Sequence, residues 1–165
     1  MRLILFLMLV LSSTYTFSAP LDGLNKFGEG EMKVLFWHLY KAELFGSSAD
    51  YTVNDDSLSL KITYKRDISK SDLIDATLEQ WEHVGINHKH IPNWLAKLDK
   101  IWPDIKENDV LIIAKNDDKT ATFFDEANTL GTIDDPDFAD AFLAIWLSEK
   151  TSRPKLRKKL IGTDK

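Results

Sequence analysis

The spacing of hydrophobic and polar positions changes several times along the chain, and each change marks an element. After the positive start Met1-Arg2, Leu3 to Leu11 is an unbroken apolar run, and Ser12 to Ala19 turns small and polar. That order is the pattern of a secretory leader rather than of a membrane-spanning helix, which needs about 20 apolar residues. Thr16 and Ser18 supply small residues at the cleavage positions, so residues 1–18 are expected to be a signal peptide and 19–165 the mature domain, with cleavage after Ala19 as the alternative. Beyond it, Met32 to Phe45 carries β-branched and aromatic residues on both parities, which predicts one long strand, central in a sheet or bent through the core. Gly28-Glu29-Gly30 ahead of it reads as a turn or the start of that strand.

Ser57 to Arg66 alternates cleanly. Leu58, Leu60, Ile62, Tyr64 and Arg66 share one face, and Ser59, Lys61, Thr63 and Lys65 the other. From Ser71 the period becomes helical, with Leu73, Ile74, Leu78, Trp81 and Val84 on one stripe and Gly85 as the stop. A second helix has Pro92 in its first turn, a stripe from Ile91 to Trp102, and Pro103 beyond its end. Val110 to Lys115 and Thr120 to Phe124 predict a hairpin across Asn116-Asp117-Asp118-Lys119, followed by a short strand near Thr129 to Ile133 in which Gly131 marks a bulge or a close approach. Asp135-Pro136 opens a helix that buries Phe138, Phe142, Ile145 and Trp146, and a last helix runs from Ser152 and Pro154 to Gly162. The order predicts an α+β domain, with helices on one face of a mostly antiparallel sheet.

Composition narrows the chemistry. With 165 residues, of which 44% are hydrophobic and 28% charged, the chain supports one core and one domain. A net charge of -5 opposes nucleic-acid binding, because neutralising phosphates needs a basic surface. The lack of cysteine excludes disulfides, a thiol nucleophile and thiolate metal sites. No phosphate-binding or dinucleotide glycine motif and no nucleophile elbow occurs, so no cofactor is expected. After the leader, no further apolar run is long enough to span a membrane.

His83, His88 and His90 lie close together in what reads as a polar loop between helices, but the spacing fixes no third metal ligand, and His38 sits inside the first long strand. The most informative polar group is Tyr64-Lys65-Arg66-Asp67. Arginine occurs only at 2, 66, 153 and 157, and Arg66 shares the parity of the apolar residues of its strand. A guanidinium directed inward needs a partner, which is either a protein carboxylate such as Asp67 or the anionic group of a ligand. Lys155, Arg157, Lys158 and Lys159 read as a solvated helix face.

The succession of Val34 to Trp37, Tyr40 to Leu44, Leu60 to Ile68, Leu95 to Pro103, Gly131 to Ile133 with Asp135 to Phe138, and Ala144 to Leu147 through to Gly162 resembles the bacterial exported chalcone isomerase-like proteins. The resemblance implies an open-faced β-sandwich, in which a layer of helices covers one side of the sheet and a ligand cleft lies between them. Plant enzymes of this superfamily use an Arg before the long N-terminal strand, a Thr within it and a sheet Tyr. Here Lys26-Phe27 and Trp37 to Tyr40 supply neither the Arg nor the Thr, so no catalytic residue is carried over. Other members bind fatty acids through an Arg and a Tyr, which makes Tyr64 and Arg66 a prospective carboxylate clamp. The resulting expectation is an exported, non-catalytic protein that binds a small hydrophobic or carboxylate ligand, in the periplasm or outside the cell. A protein-interaction module with a filled cleft ranks second, and an isomerase or lyase acting on a phenolic or enone compound third. The protein partner that an interaction module would engage is left unidentified.

Overall fold

Alternation along the strands is realised as a single sheet of six strands in the order β1-β2-β3-β4-β5-β6, every neighbouring pair antiparallel. The computed structural model describes residues 20–53 and 55–164, and the expected leader, residues 1–18, lies outside the described residues. The strands are β1 (Asn25–Val34), β2 (Trp37–Gly46), β3 (Leu58–Tyr64), β4 (Val110–Lys115), β5 (Ala121–Phe124) and β6 (Thr129–Ile133). Helices α1 (Lys70–Val84) and α2 (Ile91–Ile101) interrupt the sheet between β3 and β4, and α3 (Phe138–Leu147) and α4 (Pro154–Leu160) follow it.

One expectation fails at the start of the sheet. Met32 to Phe45 is not one central strand but parts of two, β1 at the sheet edge and β2 beside it, joined by a turn at Leu35-Phe36. Nothing in the turn's composition announces it, because apolar residues stand where Gly, Asn or Asp is usual, and Leu35 adopts φ 53°. Gly28 and Gly30 accordingly lie inside β1 rather than before it. Their bare Cα atoms let α4 pack directly on the edge strand: a Cβ at Gly28 would collide with the Lys159 carbonyl oxygen, and one at Gly30 would come within 2.6 Å of Leu156 Cδ1.

Cross-strand pairing fixes the two faces. Leu60 lies opposite Leu44 and Ile113, and Ile62 opposite Ala42 and Leu111, so these buried residues form one apolar surface beneath the helices. The opposite surface carries ions, with Lys41 Nζ 3.1 Å from Glu29 and 3.5 Å from Glu43. On the covered side, the Trp81 indole N–H donates to the Ala141 carbonyl (2.9 Å) and ties α1 to α3. Trp81, Trp94, Phe138, Phe123 and Phe142 then continue as edge-on or stacked rings 5.5–6.2 Å apart.

Helix ends follow their sequence signals, with one exception. Ser69 caps α1, accepting from the Asp72 amide at 3.1 Å, and Gly85 ends it at φ 81°. Helix α3, however, begins at Phe138 rather than at Pro136, and Asp135 is no helix cap. Its buried carboxylate accepts from Trp94 Nε1 (2.8 Å) and the Asp137 amide (3.1 Å) and faces His90 Nδ1 at 2.8 Å, pinning α2 to the approach to α3. This hydrogen bonding outweighs the opposing effect of burial and holds the Asp135 carboxyl below its ordinary range. The expected polar histidine loop is partly absorbed into the fold: His88 stacks on Trp94 with centroids 4.7 Å apart, and His83 lies within α1. His38 is exposed and faces Glu31 at 3.1 Å.

Candidate functional site

Between the apolar surface of the sheet and helices α1, α3 and α4 lies a cavity of about 400 Å³. That is within the range of small-molecule sites, and its walls are mostly apolar, with Ile62, Leu111, Trp102, Phe142, Ile145 and Leu156 among them. Around it, the Trp81–Ala141 hydrogen bond ties α1 to α3, and α4 packs closely on β1 at Gly28 and Gly30.

Four polar side chains give the cavity its chemistry. Tyr40 on β2 and Tyr64 on β3 are cross-strand partners whose rings meet edge-on at 6.1 Å. The Tyr40 hydroxyl accepts from Trp146 Nε1 at 2.9 Å, which orients it and leaves its own proton to donate. Withdrawal from water pushes the Tyr40 phenol up to about 12, against the opposing influence of the Trp146 donor and the Arg153 charge. Burial also raises Tyr64 well above the ordinary tyrosine value. Both phenols are therefore neutral donors at physiological pH. Among the described residues, no hydrogen-bond partner meets the Tyr64 hydroxyl.

Arg66 and Arg153 are the two guanidiniums of the cavity lining. The parity argument for Arg66 does not survive the end of its strand: β3 stops at Tyr64, the chain bends at Lys65-Arg66, and Arg66 is exposed at the mouth rather than buried. Its guanidinium lies 5.5 Å from the ring centroid of Trp37. Asp67, the protein carboxylate considered as its partner, instead faces Lys106 Nζ at 3.1 Å and accepts from the Glu107 amide at 2.9 Å. Arg153 is also exposed, just before α4. Among the described residues neither guanidinium has a carboxylate within salt-bridge distance. Of the remaining polar groups of the lining, Asp72 accepts from the Ser69 hydroxyl (2.7 Å), Thr151 donates to the Ile145 carbonyl (2.7 Å) and Ser152 donates to Gln80 (2.6 Å), whereas the buried Trp102 Nε1 has no hydrogen-bond partner among the described residues.

The structure thus brings Tyr64 and Arg66 to one cavity and adds Tyr40, Trp146 and Arg153, which sequence reasoning missed. Splitting Met32 to Phe45 at its turn would have paired Tyr40 with Tyr64, and the scarcity of arginine was a signal for Arg153 as much as for Arg66. A second hollow, around Lys115, has a more polar lining, and the Lys115 ammonium is paired with Asp140 at 2.8 Å.

The profile of the chalcone isomerase-like family matches residues 24–162. The chain belongs to the chalcone isomerase-like family. A chalcone isomerase-like fold is also what structural comparison finds: the crystal structure of an Arabidopsis thaliana fatty-acid binding protein superimposes with a TM-score of 0.66, covering 88% of this chain and 92% of the other at 11% identity. In sequence, an uncharacterized protein of Haemophilus influenzae is 26% identical over 153 residues, which are 92% of this chain and 75% of that one. In this chalcone isomerase-like chain, β1 and β2 line the cavity with Met32, Leu39 and Tyr40 and contain no threonine.

Proposed function

We propose that the protein is exported and that it binds a small amphipathic carboxylate of fatty-acid type without transforming it, the acyl portion lying in the apolar cavity and the carboxylate at its mouth. The observation that carries this reading is the pair of guanidiniums, Arg66 and Arg153, placed at an apolar cavity with no carboxylate partner among the described residues. Charge-assisted bonds from arginine match a carboxylate's geometry, and the neutral phenols of Tyr40 and Tyr64 add donors. The fold neighbour from Arabidopsis is a fatty-acid binding protein, which supports the same ligand class. A cleft filled by its own aromatics would leave no such cavity and would pair Arg66 with a protein carboxylate. Against an isomerase stands the sequence before and within the first long strand, which lacks the Arg and the Thr of the plant enzymes. Export is supported by the apolar run from Leu3 to Leu11 and the small residues after it.

Native mass spectrometry of the protein purified from an exporting host, with solvent extraction of bound compounds, tests both parts. The expected chain begins at Ala19 or Pro20 and carries one acyl carboxylate per protein. A bare protein whose mass does not change when fatty acids or flavonoids are added in excess would contradict the binding reading, and an intact residue 1 would contradict export.

A further inference from the structure

The β1–β2 turn breaks two local rules at once. Leu35 is 88%, Phe36 97% and Trp37 65% exposed, forming a contiguous apolar tip, and Leu35 holds φ 53°, where glycine or asparagine is at home. Neither choice helps the fold. The same hairpin lines the cavity with Met32 and Leu39, and Trp37 lies under the guanidinium of Arg66 at the mouth. Apolar tip and cavity opening are therefore one continuous surface.

We infer that this tip inserts into the interface of an anionic lipid bilayer, so that the cavity mouth opens against the membrane and an acyl ligand passes between them without crossing water. The inference rests on the proposed function for the ligand's nature. The two turn side chains and the adjoining Trp37 present roughly 500 Å², below the ~800 Å² per partner of a stable protein interface, which argues against a second copy or a protein partner as the occupant. Leucine, phenylalanine and tryptophan on a projecting loop suit the acyl-headgroup boundary, where tryptophan's amphipathic ring is favoured. The charges beside the tip complement anionic headgroups. Lys65 and Arg66 have no carboxylate partner among the described residues, and Lys33 shares Glu31 with His38. The acids nearest the mouth are engaged, Asp67 with Lys106 and Asp72 with Ser69.

The test compares the exported protein with a Leu35→Asn/Phe36→Ser variant, in which asparagine tolerates the left-handed backbone and folding is preserved. Partition is measured by flotation with vesicles of equal parts phosphatidylglycerol and phosphatidylcholine. Depth is read as the quenching by brominated lipid that a Trp37→Phe change removes, since Trp81 and Trp94 are buried while Trp102 and Trp146 line the cavity and contribute their own signal. Wild type should float and be quenched, and the variant should lose about a hundred-fold in partition while keeping its melting temperature and its affinity for dissolved fatty acid. Lys65→Ser should weaken binding to the mixed vesicles and leave binding to pure phosphatidylcholine unchanged. Equal flotation of wild type and variant, no flotation of either, or a wild-type dimer in lipid-free buffer that the variant abolishes would each overturn the inference. Failure of both proteins to bind dissolved fatty acid would instead strike the proposed function, and the vesicle result would still stand on its own.

Discussion

Removing the guanidiniums at the cavity mouth separates a ligand clamp from a structural role, because the structure predicts opposite outcomes for binding and stability. Arg66→Ala forfeits one cation–aromatic contact with a largely exposed Trp37, about 0.5–1 kcal/mol. Arg153→Ala forfeits no ion pair among the described residues, and a surface change of that kind falls within about 0.5 kcal/mol. If each guanidinium meets the ligand carboxylate, its loss costs about 1.5–3 kcal/mol of binding, a roughly 10- to 100-fold weaker Kd. The double variant should lose less than the sum of the two, because both cations act on one carboxylate and the second removal finds the site already weakened. Isothermal titration with a dissolved long-chain fatty acid, alongside denaturant unfolding of the same preparations, gives both quantities. Affinity should also fall on acidification through the ligand's own carboxyl pKa, since the protonated acid has no charge to meet the arginines. A stability loss above about 2 kcal/mol with Kd unchanged would refute the reasoning and mark both arginines as structural.

Other parts of the account make separate predictions. Trp146→Phe removes the donor that orients the Tyr40 hydroxyl and should lower ligand affinity a few-fold while costing about 1 kcal/mol of stability, measured by titration and melting. Gly28→Ala sets a methyl against the backbone carbonyls of Lys159 and Leu160 and should cost about 1–3 kcal/mol, whereas Gly30→Ala meets the side-chain end of Leu156 rather than backbone and should cost less; urea unfolding ranks them. Asp135→Asn should cost about 1–3 kcal/mol at neutral pH by weakening the bonds from Trp94 and the Asp137 amide. The pH dependence has a definite sign. Because the folded protein holds the Asp135 carboxyl below 3.8, its contribution is present above that pH and is lost as pH falls toward the folded value, so acid unfolding of the Asn variant should be shallower in that window.

Much of the fold was legible because periodicity and punctuation agreed. Gly85 and Pro103 bounded the first two helices, Asn116 to Lys119 marked the β4–β5 turn, and Gly131 marked a close approach, its Cα facing Ile101 so that a Cβ would stand 2.8 Å from it. The β1–β2 hairpin escaped because its turn is apolar and its strands carry hydrophobic residues on both parities, so neither composition nor period changes at Leu35. Arg66 was placed inward by extending alternation beyond Tyr64, and no local signal tells where the ladder stops. Arg153 and Trp146 reach the cavity through helix packing separated from β2 and β3 by long stretches of chain, and such proximity is invisible to spacing arguments. Asp135 looked like a cap because Asp-Pro usually is one, and only the position of Trp94 across the core shows its other use.

The central claim is that the cavity takes an acyl chain with its carboxylate at Arg66 and Arg153. Titrating the protein with palmitate labelled with ¹³C at its carboxyl carbon, and recording intermolecular NOEs by NMR, tests it most directly. The account predicts a saturable shift of the carboxyl resonance that Arg66→Ala and Arg153→Ala each diminish, with NOEs from the acyl methylenes to Phe142 and Ile145. An unshifted carboxyl resonance and no NOE to either side chain at saturating palmitate would contradict it.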